Sequence, residues 1–312
     1  MPEDSRPGAS FRSALARSAV VLTEGSVVER LRRHPECTLD EHVAHAAFPY
    51  APGPARILAG LYREYLETAR ETRLPMLCFS PTWHANPERL RQAGLTQDVN
   101  RDGVLFVRRI IAEYDGILLG GLMGSYGDAY RPEQALTTAE AARFHAPQAK
   151  ALAGAGCDFL LAATLPAASE AAGMAAAMAE TGAPYLVSFI INARGELLDS
   201  TPIPEAIARI DGSICPAPLG YLVNCVHASI MARALERCDP APRDRILGLQ
   251  ANTSPKSPGE LEGSEDLETE DPGRFAESMV DLHRRFGLRI LGGCCGTDAR
   301  HIRSLAARLV AL

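Results

Sequence analysis

No basic cluster stands out in this sequence. Its 32 Lys and Arg are outnumbered by 38 Asp and Glu, and the net charge is −6. Binding to a phosphate backbone calls for the opposite balance, so no nucleic-acid partner is expected. No apolar run reaches the ~18 residues that a membrane helix needs, so no membrane partner is expected either. The N-terminal stretch MPEDSRPGASFRSALARSAV has no apolar core long enough for a secretory leader. The cytoplasm is then the default location. Low-complexity blocks are missing, and apolar residues make up 46% of the chain. That composition supports a sizeable core and argues against disorder. Aromatic residues are scarce at 6%, with Trp83 the one tryptophan.

Cysteine is not scarce. There are eight: Cys37, Cys78, Cys157, Cys215, Cys225, Cys238, Cys294 and Cys295. An even count can mean disulfides. This chain is long, however, and has enough apolar residues to stand without covalent staples. Free thiols, some of them metal ligands, are expected instead.

Eight short apolar runs punctuate the chain: AVVLTEG, PMLCFS, GILLGGL, CDFLLAAT, PYLVSFI, LGYLVNC, ILGLQAN and RILGGCC. They are dense in apolar residues rather than alternating, as strands covered on both faces should be. The stretches between them have helical spacing. PARILAGLYREYLETARET puts apolar residues on one side and charges on the other. AARFHAPQAKALAGAG, ASEAAGMAAAMAETG and DPGRFAESMVDLHRRFG each close on a glycine, a common helix stop. This pattern predicts a single (β/α)8 TIM barrel, one domain over residues 1–312. A doubly wound sheet is the alternative. Its glycine fingerprint, GxGxxG, does not follow the first run. Residues 1–18 form an N-terminal extension, and the segment from Thr23 to Pro54 is expected to be loop. Residues 252–274, acidic and rich in proline, are expected to be a solvated loop after the seventh strand.

In such a barrel, residues at the C-terminal ends of the strands face the active site. Cys225 closes the sixth run, and Cys294 with Cys295 closes the eighth. Three thiolates with one open position is the donor set of a catalytic zinc site. Thiolates are soft and suit zinc. Such a site binds an incoming thiol and removes its proton, leaving an electron-rich sulfur. Gly292, Gly293 and Gly296 allow the tight turn that brings neighbouring cysteines to one metal. Two other readings remain open. The run also suits a glycine-rich phosphate cradle, and the two cysteines also suit a role as small buried hydrophobes.

GGCCGTDARHIRSLA resembles the C-terminal signature of the homocysteine S-methyltransferase family. LVNC, FSPTWHANPERLRQAGL, LLGGLMGSYGDAY and FHAPQAKALAGAGCDFLLAATLPAASEA are similar to further family segments, so the resemblance covers about residues 19–310. It implies a (β/α)8 barrel with zinc (Zn2+) on Cys225, Cys294 and Cys295, and no catalytic residue beyond that site. It implies transfer of a methyl group from a sulfonium donor to a thiol such as homocysteine, giving methionine. Family members using betaine or folate carry additional regions, so S-methylmethionine or S-adenosylmethionine is the expected donor. Substrate contacts are expected from Glu24, Gly25, Thr82, Trp83, Thr164 and Asn224. The expected partners are these small molecules.

The departures from the family pattern fall on the amino-acid half of the site. Glu24-Gly25 stands where the family has Asp-Gly. Ala163-Thr164 stands where it has Glu-Thr, and that Glu helps hold the substrate ammonium. Gly124-Ser125 replaces Gly-Pro, and in LQANTSP only Asn252 matches the family segment. A different thiol or selenol acceptor is therefore one alternative. A zinc- or thiol-binding barrel without turnover is another. His84 reads equally as a mouth-facing contact and as a loop histidine. Trp83 reads as a platform for a cationic donor or as a packed loop aromatic. Asn224 reads as a support for the neighbouring cysteine or as a strand cap. The other five cysteines have no ligand spacing to the cluster and read as structural.

Overall fold

The computed structural model describes residues 7–256 and 269–312. Eight strands form the barrel: β1 (Val21–Thr23), β2 (Met76–Phe79), β3 (Ile117–Met123), β4 (Phe159–Leu165), β5 (Tyr185–Phe189), β6 (Gly220–His227), β7 (Ile246–Asn252) and β8 (Ile290–Gly293). Each is parallel to the next, and β8 pairs with β1 to close the sheet. Helices between the strands cover the outside. The expected (β/α)8 barrel is therefore the observed one.

Two apolar layers account for the density of the strand runs. Val21, Leu77, Leu118, Phe159, Leu186, Leu222 and Ile290 point into the barrel. Leu22, Met76, Leu119, Leu160, Val187, Val223 and Leu291 pack outward against the helices. Fully burying one such side chain contributes roughly 1.5–3 kcal/mol relative to exposure. The helices begin on side-chain caps where the sequence offers them. Thr137 and Glu140 form a capping box, and Asp271 accepts from the N–H groups of Gly273 and Arg274. The helix Pro272–Phe286 stops where Gly287 turns left-handed at φ 72°.

Part of the N-terminal extension has a defined job. Pro7–Arg17 is helical, and Phe11 stacks on Phe159 at 4.1 Å between ring centroids. Phe159 opens β4, and Arg289, just before β8, donates to the carbonyl of Leu15. The helix thus plugs the end of the barrel opposite the strand C-termini.

Three expectations need adjustment. The segment after β1 is not all loop: it contains a short helix, Val28–Arg32, and a 3-10 turn, Phe48–Tyr50. The acidic segment is shorter than expected, because β7 holds Asn252 and the next helix already starts at Pro272. Its residues 257–268 lie outside the described ones. Strand β6 does not end at Cys225 but runs on to His227, with a register shift between Asn224 and Val226. No described helix is long and apolar enough to cross a membrane.

Candidate metal centre

Three strand ends bring the cysteines together. Cys225 sits at the shift in β6 with a left-handed φ of 56°. Cys294 and Cys295 follow β8 directly, and a Cβ on Gly292 or Gly293 would collide with Thr23 or Thr297. Those two positions therefore require glycine. Gly296, at φ 82°, completes the turn. Backbone bonds then fix the turn to β7. The N–H of Cys294 donates to the carbonyl of Ala251, and that of Cys295 to Asn252 Oδ1 at 3.1 Å. Thr297 Oγ1 donates to the Cys294 carbonyl and accepts from the N–H of Ser26, tying the turn to the segment after β1.

The three Sγ atoms lie within 4.8 Å of one another. Cys225 and Cys294 approach to 2.7 Å. Cys225 is the thiol held in readiness to ionise. The sulfurs of Cys294 and Cys295 beside it, together with Tyr130 and Asn224, hold its pKa well below the usual thiol value. The same contacts push Cys294 and Cys295 up, the latter to about 12. Among the described residues this is the one cluster of His, Cys, Asp and Glu with metal-ligand spacing. It supplies three sulfurs and no fourth protein ligand, which fits a soft ion with an open position.

Asn224 organises the metal end of the barrel. Its Oδ1 accepts from the Thr164 N–H at 2.9 Å and from Ser188 Oγ at 2.6 Å. Its Nδ2 donates to Thr164 Oγ1 at 2.7 Å and to Cys225 Sγ at 3.4 Å. One amide thereby joins β4, β5 and β6. It also holds two residues with positive φ, Thr164 at 61° and Cys225 at 56°. Such conformations persist only when the surroundings enforce them.

Above the cysteines opens a cavity of about 240 Å³. Every strand except β5 sends a residue, or the loop after it, to its lining.

The family model for homocysteine S-methyltransferase matches residues 21–309. The chain belongs to the homocysteine S-methyltransferase family. It is 28% identical over 194 residues to the homocysteine S-methyltransferase YbgG of Bacillus subtilis (strain 168), a match covering 60% of this chain and 59% of that protein. It is 28% identical over 202 residues to the homocysteine S-methyltransferase of Escherichia coli (strain K12), covering 62% and 63% of the two. The match thus spans less than two thirds of either relative. The fold superposes on the Escherichia coli homocysteine methyltransferase MmuM in its oxidised form with a TM-score of 0.74, at 22% identity, over 96% of this chain and 99% of that one. The metallated form gives 0.74 at 20% identity and the same coverage.

Within this family member, Glu24, Gly25, Trp83, Thr164 and Asn224 all line the cavity with the three cysteines. Thr82 does not. Its hydroxyl donates to the Leu122 carbonyl and pairs with Ser80 Oγ, behind the wall. The chain has left β2 at Phe79, and the Leu122 carbonyl and the Ser80 hydroxyl hold the Thr82 side chain away from the cavity, while Ser80 and Trp83 reach the lining. His84 is not a lining residue. It stacks on Trp83 at 4.1 Å, and burial pushes its pKa down to about 3. Glu24 is buried at the cavity wall, where Oε2 accepts from the Phe79 N–H at 3.2 Å. Burial raises its pKa to about 8 despite that bond, so the side chain is largely neutral at pH 7.

The lining also includes residues that sequence reasoning missed: Glu29, Arg32, His45 and Tyr130. Glu29 and Arg32 sit in the short helix Val28–Arg32, His45 in the loop after it, and Tyr130 at the end of the segment LLGGLMGSYGDAY. The proline- and histidine-rich composition between Thr23 and Pro54 was the one hint of the first three, and the resemblance of LLGGLMGSYGDAY to a family segment the one hint of Tyr130.

Proposed function

We propose that this protein is a zinc-dependent thiol S-methyltransferase that moves a methyl group from a sulfonium donor, S-methylmethionine or S-adenosylmethionine, to homocysteine. The observation that carries this reading is the cluster of three thiols within 4.8 Å at the floor of a cavity. Cys225, Cys294 and Cys295 would hold the ion. When bound, the ion would lower the pKa of the acceptor thiol and keep its sulfur nucleophilic. Asn224 and the β8 turn set the positions of the three ligands. Trp83 and Tyr130 offer ring faces suited to a sulfonium cation. Glu24, Gly25 and Thr164 supply polar groups for the amino-acid part. The cavity holds acceptor and donor together, and proximity accounts for much of the acceleration.

The reading predicts about one zinc per chain in protein purified without chelator. The Cys294→Ser, Cys295→Ser double variant should lose both the metal and methyl transfer. Elemental analysis together with a methionine-formation assay checks it. Full zinc occupancy in the double variant would falsify the ligand assignment.

A further inference from the structure

His45 lies on the wall of the metal cavity, with 4% of its surface exposed. Its Nδ1 is buried without a hydrogen-bond partner. The loop that carries the ring is braced on several sides. Asp40 Oδ1 accepts from the N–H groups of His42 and Val43, and Asp40 pairs with Ala44. Arg89 donates to the carbonyls of His42 and Gly127, joining this loop to the one after β3. Val43 and Ala46 pack with Ala85 and Val99 in a small apolar cluster of their own. The ring meets Phe48 edge-on at 6.3 Å. It is therefore held in place before any ligand arrives.

A neutral imidazole has one N–H and one lone pair. A buried unpaired N–H is rarer than an under-satisfied acceptor, so the proton belongs on Nε2. Nε2–H is then the donor this side chain keeps for the cavity. Burial keeps the ring neutral, with its pKa pushed down to about 4.

Arg32 lines the same cavity from the end of the helix Val28–Arg32. It is exposed and forms no ion pair among the described residues. Glu29, one turn earlier, points its carboxylate at the N–H of Gly296 instead, at 2.5 Å. Arg32 and His45 both come from the segment between β1 and β2, which brings the pair to one side of the cavity.

We propose that Arg32 and His45 form a carboxylate-recognition corner, the guanidinium supplying charge and the imidazole Nε2–H a directed hydrogen bond. This assignment rests on the reading of the cavity as a methyl-transfer site. One cation and one fixed donor beside an amino-acid-sized cavity match the carboxylate of an amino-acid substrate. That carboxylate could come from the acceptor or from the donor.

Calorimetry on the zinc-loaded protein separates the two. The probes are homocysteine, 4-mercaptobutyrate, 3-aminopropane-1-thiol and S-methylmethionine. Arg32→Met and His45→Phe should each weaken the ligands that carry the recognised carboxylate by about tenfold or more. Binding of 3-aminopropane-1-thiol, which has no carboxylate, should stay within about twofold. In kinetics the loss should appear in KM, with kcat little changed. A loss on the two thiol acids assigns the corner to the acceptor, and a loss on S-methylmethionine assigns it to the donor. Unchanged binding of all carboxylate probes, or an equal loss on 3-aminopropane-1-thiol, overturns the proposal. Arg32 is exposed, so its variant keeps the test decisive even where His45→Phe disturbs the loop. A wild type that binds these probes with zinc yet methylates no thiol defeats the methyl-transfer reading, and the titrations still judge the corner.

Discussion

Ala163 is where this chain departs most from its family's expected chemistry. It is 5% exposed on the cavity wall, and no carboxylate stands there to meet a substrate ammonium. Glu24 lines the same cavity but is largely neutral while the site is empty. An ammonium placed beside it would favour the ionised form and draw its proton away. Homocysteine should then bind better as pH rises toward about 8, where Glu24 ionises without help. Glu24→Gln should raise KM for homocysteine about tenfold and abolish that gain, since a charge-assisted hydrogen bond contributes roughly 1.5–3 kcal/mol. Ala163→Glu should lower KM by supplying a second carboxylate. KM measured between roughly pH 6 and pH 8 for the wild type and both variants tests this. Identical KM values and identical pH profiles in all three would show that neither position meets the ammonium.

At the scale of elements, the barrel was legible and the fine placement of its strand ends was not. Eight dense apolar runs with helical spacers left little choice of fold, because buried parallel strands and amphipathic helices have different periods. Cys225, Cys294 and Cys295 could be grouped across 69 residues because the barrel topology brings strand C-termini to one mouth. The register shift in β6 was not legible, since nothing in LVNCVH announces a left-handed cysteine. Nor was the side of the chain on which Thr82 falls, because loop direction is set by tertiary partners such as the Leu122 carbonyl. His45 and Arg32 were hidden for the same reason: one comes from a braced loop and the other from a five-residue helix, too short to give a periodic signal. Asn224 carries the strand-end geometry, so it is the element-level test. Asn224→Ala leaves the Thr164 N–H and the Ser188 hydroxyl without their acceptor and Cys225 without its N–H donor. It should weaken zinc about 10–100-fold, as loss of such ligand supports does, and cost about 1–3 kcal/mol of stability. Asn224→Asp keeps the acceptor but not the donor, and should recover stability more than metal affinity. Competitive chelation and thermal unfolding read the two effects. Equal zinc affinity in Asn224→Ala and wild type would reduce Asn224 to a strand cap.

Across the whole molecule, the barrel interior is one continuous column from plug to cavity. Phe11 stacks on Phe159, Phe159 meets Phe79 edge-on at 6.1 Å, and Phe79 and Ala163 reach the cavity. Buried titratable groups sit at the upper end of this column, and they give stability opposing pH dependences. Glu24 has a pKa raised from 4.5 to about 8 in the fold. The folded state therefore holds more protons than the unfolded chain between those values, and stability falls as pH rises through them. His45 and His84 have pKa values lowered from 6.5 to about 4 and about 3. There the unfolded chain holds more protons, so stability falls as pH drops below 6.5. Two histidines outweigh one carboxylate on the acid side, and the carboxylate acts alone above 6.5. These three groups thus set a stability maximum near pH 6.5. Glu24→Gln mimics the neutral carboxyl and cannot ionise, so it should flatten the decline between about 6.5 and about 8 and steepen the acid limb below 6.5, where the carboxyl no longer opposes the histidines. Midpoints of thermal unfolding across that range, in wild type and variant, give the comparison. A variant whose midpoint still falls as steeply as wild type would mean that Glu24 is ionised in the folded barrel, and that its buried carboxylate has a charge partner in the cavity wall.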